Sequence, residues 1–93
     1  MRERDIERRF RDLIRKAGGV ALKLVCPGFD GMPDRIVLMP GGRILFAEIK
    51  RPGAVPGPLQ AARHRMLRDL GFQVFVIDSL ELAEEVTRAV QTA

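Results

Sequence analysis

Pro33-Asp34-Arg35-Ile36-Val37-Leu38-Met39-Pro40-Gly41-Gly42-Arg43-Ile44-Leu45-Phe46-Ala47-Glu48-Ile49-Lys50 is the stretch that decides the fold. Its outer runs, Asp34–Met39 and Arg43–Lys50, are β-rich, and the Pro40-Gly41-Gly42 between them signals a three-residue hairpin loop. Symmetry about Gly41 pairs Met39 with Arg43, Ile36 with Phe46 and Asp34 with Glu48. Alternation then gives the hairpin two apolar faces, Ile36, Leu38, Ile44 and Phe46 on one, Val37, Leu45, Ala47 and Ile49 on the other. A sheet that is apolar on both sides is covered on both sides, which predicts a layered α/β domain.

The same register gathers charge. Directly opposed residues have Cβ atoms roughly 5 Å apart, and period two returns Lys50 to the face of Glu48. Asp34, Glu48 and Lys50 therefore share one edge of one sheet face. Opposed like charges weaken a bare hairpin, a penalty that a bound divalent cation reverses. Two carboxylates suit a hard cation, and with an adjacent ammonium they suit metal-assisted hydrolysis of a phosphodiester. The competing reading is an exposed, salt-bridged hairpin end, and a slip of one residue would send Asp34 to the opposite face.

Working outward, residues from about Arg2 to Ala17 predict an amphipathic helix closed by Gly18-Gly19, with Ile6, Phe10, Leu13, Ile14 and Ala17 inward. Arg4, Arg8, Arg11 and Arg15 fall on one stripe with no acid within it, either a phosphate-contacting row or a solvated face. Asp5 and Arg9 are spaced as an i,i+4 pair. Glu3 and Glu7 share a stripe with Phe10 and Ile14; Glu7 is thereby aimed at the core edge as a candidate third carboxylate, with Glu3 close by as the alternative. Val20–Val25 predicts a strand, and Cys26–Pro33 a loop. After the hairpin, Arg51–Pro58 is a Pro/Gly loop. A helix over Leu59–Leu70 follows, with Ala62, Met66, Leu67 and Leu70 as its apolar side and Gln60, Arg63 and His64 near its start. His64 reads as an exposed polar residue or a DNA contact, and Arg35 and Arg51 as phosphate contacts or structural ion pairs. Phe72–Asp78 is a last strand, and Ser79 caps a helix running to about Val90 with Leu80, Ala83, Val86 and Val90 inward. The order is α-β-β-β-α-β-α within one domain, residues 1–93.

Composition narrows the function classes. A chain of 93 residues with 46% apolar content supports one modest core. The net charge of +4 and pI near 10.2 suit a polyanionic partner. One cysteine, Cys26, forbids an internal disulfide, and one cysteine with one histidine argues against structural zinc. An intracellular, cytoplasmic setting is expected, with no signal peptide and no membrane span.

Gly31-Met32-Pro33-Asp34-Arg35, Phe46-Ala47-Glu48-Ile49-Lys50, and Gln60 followed by Leu67 and Gly71-Phe72-Gln73-Val74 resemble the VRR-NUC family of the PD-(D/E)XK nuclease superfamily. The resemblance covers nearly the whole chain, in the manner of a minimal stand-alone member from a phage or bacterium. It implies a restriction-endonuclease-like core, a mixed central sheet flanked by helices. It further implies that Asp34, Glu48, the carbonyl of Ile49 and Glu7 hold Mg²⁺ or Mn²⁺, that Lys50 orients the attacking water, and that Gln60 orders the site. A homodimer cutting branched DNA, in the manner of a Holliday junction resolvase, is the activity it implies. DNA contacts are expected from Arg35, Arg51, Arg4, Arg8, Arg11, Arg15, Arg63 and His64. The alternatives are a non-catalytic DNA-binding module with the same fold, and a small structural or antitoxin-like partner protein.

Overall fold

A computed structural model describes residues 1–92. The order is α1 (Glu3–Lys16), β1 (Val20–Lys23), β2 (Arg35–Met39), β3 (Arg43–Ile49), α2 (Pro58–Asp69), β4 (Gln73–Ile77) and α3 (Leu80–Thr92). The four strands form one sheet in sequence order, antiparallel across β1-β2 and β2-β3 and parallel across β3-β4. The sheet is mixed, as expected, because α2 carries the chain across to lay β4 parallel to β3.

The hairpin register is the one its loop dictates: Met39 faces Arg43 and Ile36 faces Phe46. Gly41 and Gly42 take positive φ of 86° and 74°, which L side chains rarely adopt. The ladder ends at Arg35–Ala47, so Asp34 and Lys50 stand just outside it. Each is still pinned. Leu24 N–H donates to the Asp34 carbonyl at 2.7 Å, and Lys50 N–H to the Ile77 carbonyl at 2.9 Å.

The two faces are covered unequally. α1 and α3 pack on one side, where Ile6, Phe10 and Ile14 meet Val37, Leu45, Ala47, Ile49, Ala83, Val86 and Val90 in the main core. α2 alone covers the other side, where Phe46, Leu67 and Val74 form a smaller cluster. Twelve residues of helix do not span four strands, so Val20, Leu22, Leu38 and Ile44 of that face are left exposed. The expectation of cover on both sides holds only for the half of the second face beneath α2. The phase of α2 differs in part from its apolar pattern: Leu67 is buried and Met66 packs beside it as expected, but Leu70 is exposed, and His64 is buried with Gln60 turned toward Glu48. In α1, Asp5 accepts from Arg2, not Arg9, and Arg9 reaches Glu84 of α3 at 3.2 Å. Ser79 caps α3 as expected, accepting the Leu82 N–H at 3.0 Å. Among the described residues, no helix is long and apolar enough to cross a membrane.

Candidate functional site

Glu48 is the centre of the site. It lies on β3 beneath α2 with 1% of its surface exposed, an unusual setting for a carboxylate. Three side chains surround it. Gln60 Nε2 donates to Oε2 at 3.2 Å, Lys50 Nζ stands 3.9 Å from the same oxygen, and His64 Nε2 lies 3.4 Å from Oε1. Asp34 is its neighbour across the hairpin, and Asp34 Oδ2 accepts the Ile49 N–H at 2.8 Å. That bond ties the acid before β2 to the backbone just after Glu48, which keeps the pair together despite their like charge.

Burial pushes the Glu48 carboxyl up to about 8, with the hydrogen bond and charge of Asp34 adding to it; Lys50 opposes the rise and Glu3 reinforces it. Burial, and then the charges of Arg68 and Lys50, lower the His64 imidazole. Burial thus favours the uncharged imidazole, one of whose two tautomers donates from Nε2 to Glu48.

Gln60 has no orientational freedom. Its Oε1 accepts the Gly57 N–H at 3.1 Å, the return half of a capping box at the start of α2. Its NH₂ group is thereby forced toward Glu48. Pro58 at the first helical turn presets the backbone there.

The remaining expected residues are distributed differently. Glu7 does not join Asp34 and Glu48, and among the described residues no group of three or more metal-ligating side chains is assembled. Its carboxylate faces Arg35 Nη2 at 2.8 Å and Arg11 Nη1 at 3.9 Å. The reason is topological. α1 packs on the face toward which Arg35 points, opposite the face that carries Glu48. Glu3, Glu7 and Asp34 nonetheless line one cavity of about 190 Å³ at the sheet edge. Of the two helix acids, Glu3 is the one whose charge Glu48 feels. Arg35 is buried in its ion pair with Glu7, while Arg11, half exposed, stands 3.9 Å from the same carboxylate. Arg4, Arg8, Arg15 and Arg51 are exposed. Arg63 lies over the Phe29 ring and bonds the Asp30 carbonyl. His64, expected on the surface, is 2% exposed. Its place was readable: Gln60, His64 and Leu67 fall at i, i+4 and i+7, so a stripe that points Gln60 at the site also points His64 there.

The donor set fits a hard divalent cation. Two adjoining carboxylates, one of them holding its proton to about 8, are an incomplete charge arrangement that a cation completes. Asp34, Glu48 and the carbonyl of Ile49 would hold it.

No family model matches this sequence. A curated phage protein named "Putative nuclease p44", from Acyrthosiphon pisum secondary endosymbiont phage 1, is 47% identical over 83 residues, 89% of either chain. A solved structure described as a VRR_NUC domain is 30% identical and superposes with a TM-score of 0.88 over 92% of this chain and 94% of that one. The chain belongs to the VRR-NUC family.

Proposed function

We propose that this VRR-NUC protein is an Mg²⁺- or Mn²⁺-dependent endodeoxyribonuclease that cuts branched DNA as a homodimer in the cytoplasm, in the manner of a Holliday junction resolvase. The observation that carries this reading is the buried Glu48 carboxylate, beside Asp34 and ringed by Lys50, Gln60 and His64. A pure DNA binder gains nothing from burying acids beside a phosphate path.

Asp34 and Glu48, with the Ile49 carbonyl, would hold a divalent cation, which would supply water activation and charge compensation at the phosphate. Lys50 orients the attacking water and stabilises the phosphate as negative charge builds. Gln60, locked by Gly57, and His64 keep the Glu48 carboxylate in one orientation. Arg4, Arg8, Arg15 and Arg51 contact backbone phosphates, so binding weakens steeply with salt. The exposed strip of Val20, Leu22, Leu38 and Ile44 supports a second copy of the chain as its cover.

The test is nicking of labelled four-way junction, flap, single-stranded and linear duplex DNA in Mg²⁺, Mn²⁺ or EDTA, with Lys50→Ala alongside. Metal-dependent cutting that prefers the junction and is lost in the variant establishes the reading. Binding without cutting in either metal replaces it with the DNA-binding module.

A further inference from the structure

We propose that Phe29, backed by Arg63, is a stacking platform for an unpaired nucleobase of the DNA held at the carboxylate site. The proposal rests on the nuclease reading above and narrows its substrate to DNA with an unpaired base beside the cut.

Phe29 is the one exposed ring of five. Phe10 and Phe46 are buried, and Phe72 and Phe75 are partly covered. Phe29 is 41% exposed in a loop held at several points. The Arg63 guanidinium sits 3.8 Å from the ring centroid, and Arg63 Nε donates to the Asp30 carbonyl at 2.8 Å. Phe29 N–H donates to the Cys26 carbonyl at 3.1 Å. Gly31, at φ +89°, lets the loop sit directly on α2: a Cβ there would stand 2.8 Å from Leu59 Cγ. The ring is ordered before any ligand arrives, which lowers the entropy cost of stacking on it.

Its surroundings suit a base. Arg63 covers the ring from one side. Beside it opens a cavity of about 340 Å³, walled also by Leu24, Val25, Cys26 and Met32, near the lower end of the roughly 300–1,000 Å³ typical of small-ligand sites. A rim of mixed polarity and a cation behind an aromatic ring accept any base through its π-face, without sequence preference. The position also suits a base. Arg63 is flanked on α2 by Gln60 and His64, both of which touch Glu48. Asp34 follows Phe29 by five residues, at most about 18 Å of extended chain. A base inside a duplex is stacked on both faces and must be extruded at a cost of a few kcal/mol. A base already unpaired at a fork, branch or frayed end bears less of that cost, so the platform favours such DNA over continuous duplex.

The experiment uses forked and fully paired duplexes carrying 2-aminopurine beside the branch, titrated with the intact chain in EDTA, where nothing is cut. Expected are fluorescence quenching at the unpaired position and a fork-over-duplex preference that falls on the order of tenfold in Phe29→Leu. Phe29→Trp should retain both. Phe29→Leu keeps the loop packing, and an unchanged melting temperature confirms that it folds. Equal quenching and equal preference in wild type and Phe29→Leu would overturn the platform and leave the ring as a staple between loop and helix. The two readings fail separately: cutting without quenching removes the platform alone, while quenching without cutting keeps the platform and removes the nuclease.

Discussion

The two faces of the sheet are built from the same alternating strands and do different work. On the α1–α3 face, Val37, Leu45, Ala47 and Ile49 meet Ile6, Phe10 and Ile14 in an apolar cluster, with the Arg35–Glu7 ion pair at its edge. On the α2 face the apolar cluster is Phe46, Leu67 and Val74, and the side chains buried beside it include a carboxylate and an imidazole. Burying Glu48 and His64 opposes folding unless they are partnered. The first face supplies the apolar burial that lets the second hold them.

The largest effect that tests this division comes from the α1–α3 face. Phe10→Ala should destabilise the chain by about 3–5 kcal/mol, enough in so small a domain to leave it largely unfolded by urea titration. Lys50→Ala should do the opposite: cutting falls by on the order of a hundredfold or more, while the urea midpoint stays put. A large stability loss in Lys50→Ala would break the comparison, because the site would then be part of the scaffold.

Glu48 sharpens it through pH. The folded chain keeps the Glu48 proton up to about 8, whereas the ordinary value is 4.5. Between those values the folded state binds the extra proton, so this stability is fully present below the ordinary value and is lost as pH rises toward the raised one. Metal-free melting temperatures should therefore fall between about pH 5 and about pH 8.5, Mg²⁺ should flatten the fall by taking the place of the proton, and Glu48→Gln should remove its share of the slope. His64→Leu, which fills the space without a donor, should weaken Mn²⁺ binding about tenfold by calorimetry, and His64→Gln should recover most of it. The smallest stability effect belongs to the uncovered strip. Ile44→Lys should shift monomer stability by no more than about 0.5 kcal/mol and yet reduce the mass seen by sedimentation from dimer to monomer; an unchanged mass would leave the strip without a second copy as its cover.

The hairpin was legible in the sequence because its alternation and its Pro-Gly-Gly loop leave one register, and that register brings Asp34 to Glu48. The phase of α2 was legible only in part. Leu67 and Met66 pack inward as the apolar pattern says and Leu70 does not; this helix also covers a carboxylate, and polar residues at Gln60 and His64 are what such a surface requires. The pairing of Glu7 with Arg35 was illegible for a different reason. Its stripe on α1 placed it at the core edge, but no local pattern says which face of the sheet a helix will cover, and α1 lies on the side where Arg35 answers it. Arg11 follows the same logic: its stripe carried no acid, but Glu7, one turn earlier, reaches across to it.

The Lys50 amide bonds the Ile77 carbonyl, and β3 closes against a strand that the chain reaches only after α2. Asp34, Glu48 and Lys50 all precede β4 and α3 along the chain. A chain ending before β4 would therefore carry these three side chains without the strand whose carbonyl holds the Lys50 backbone in place.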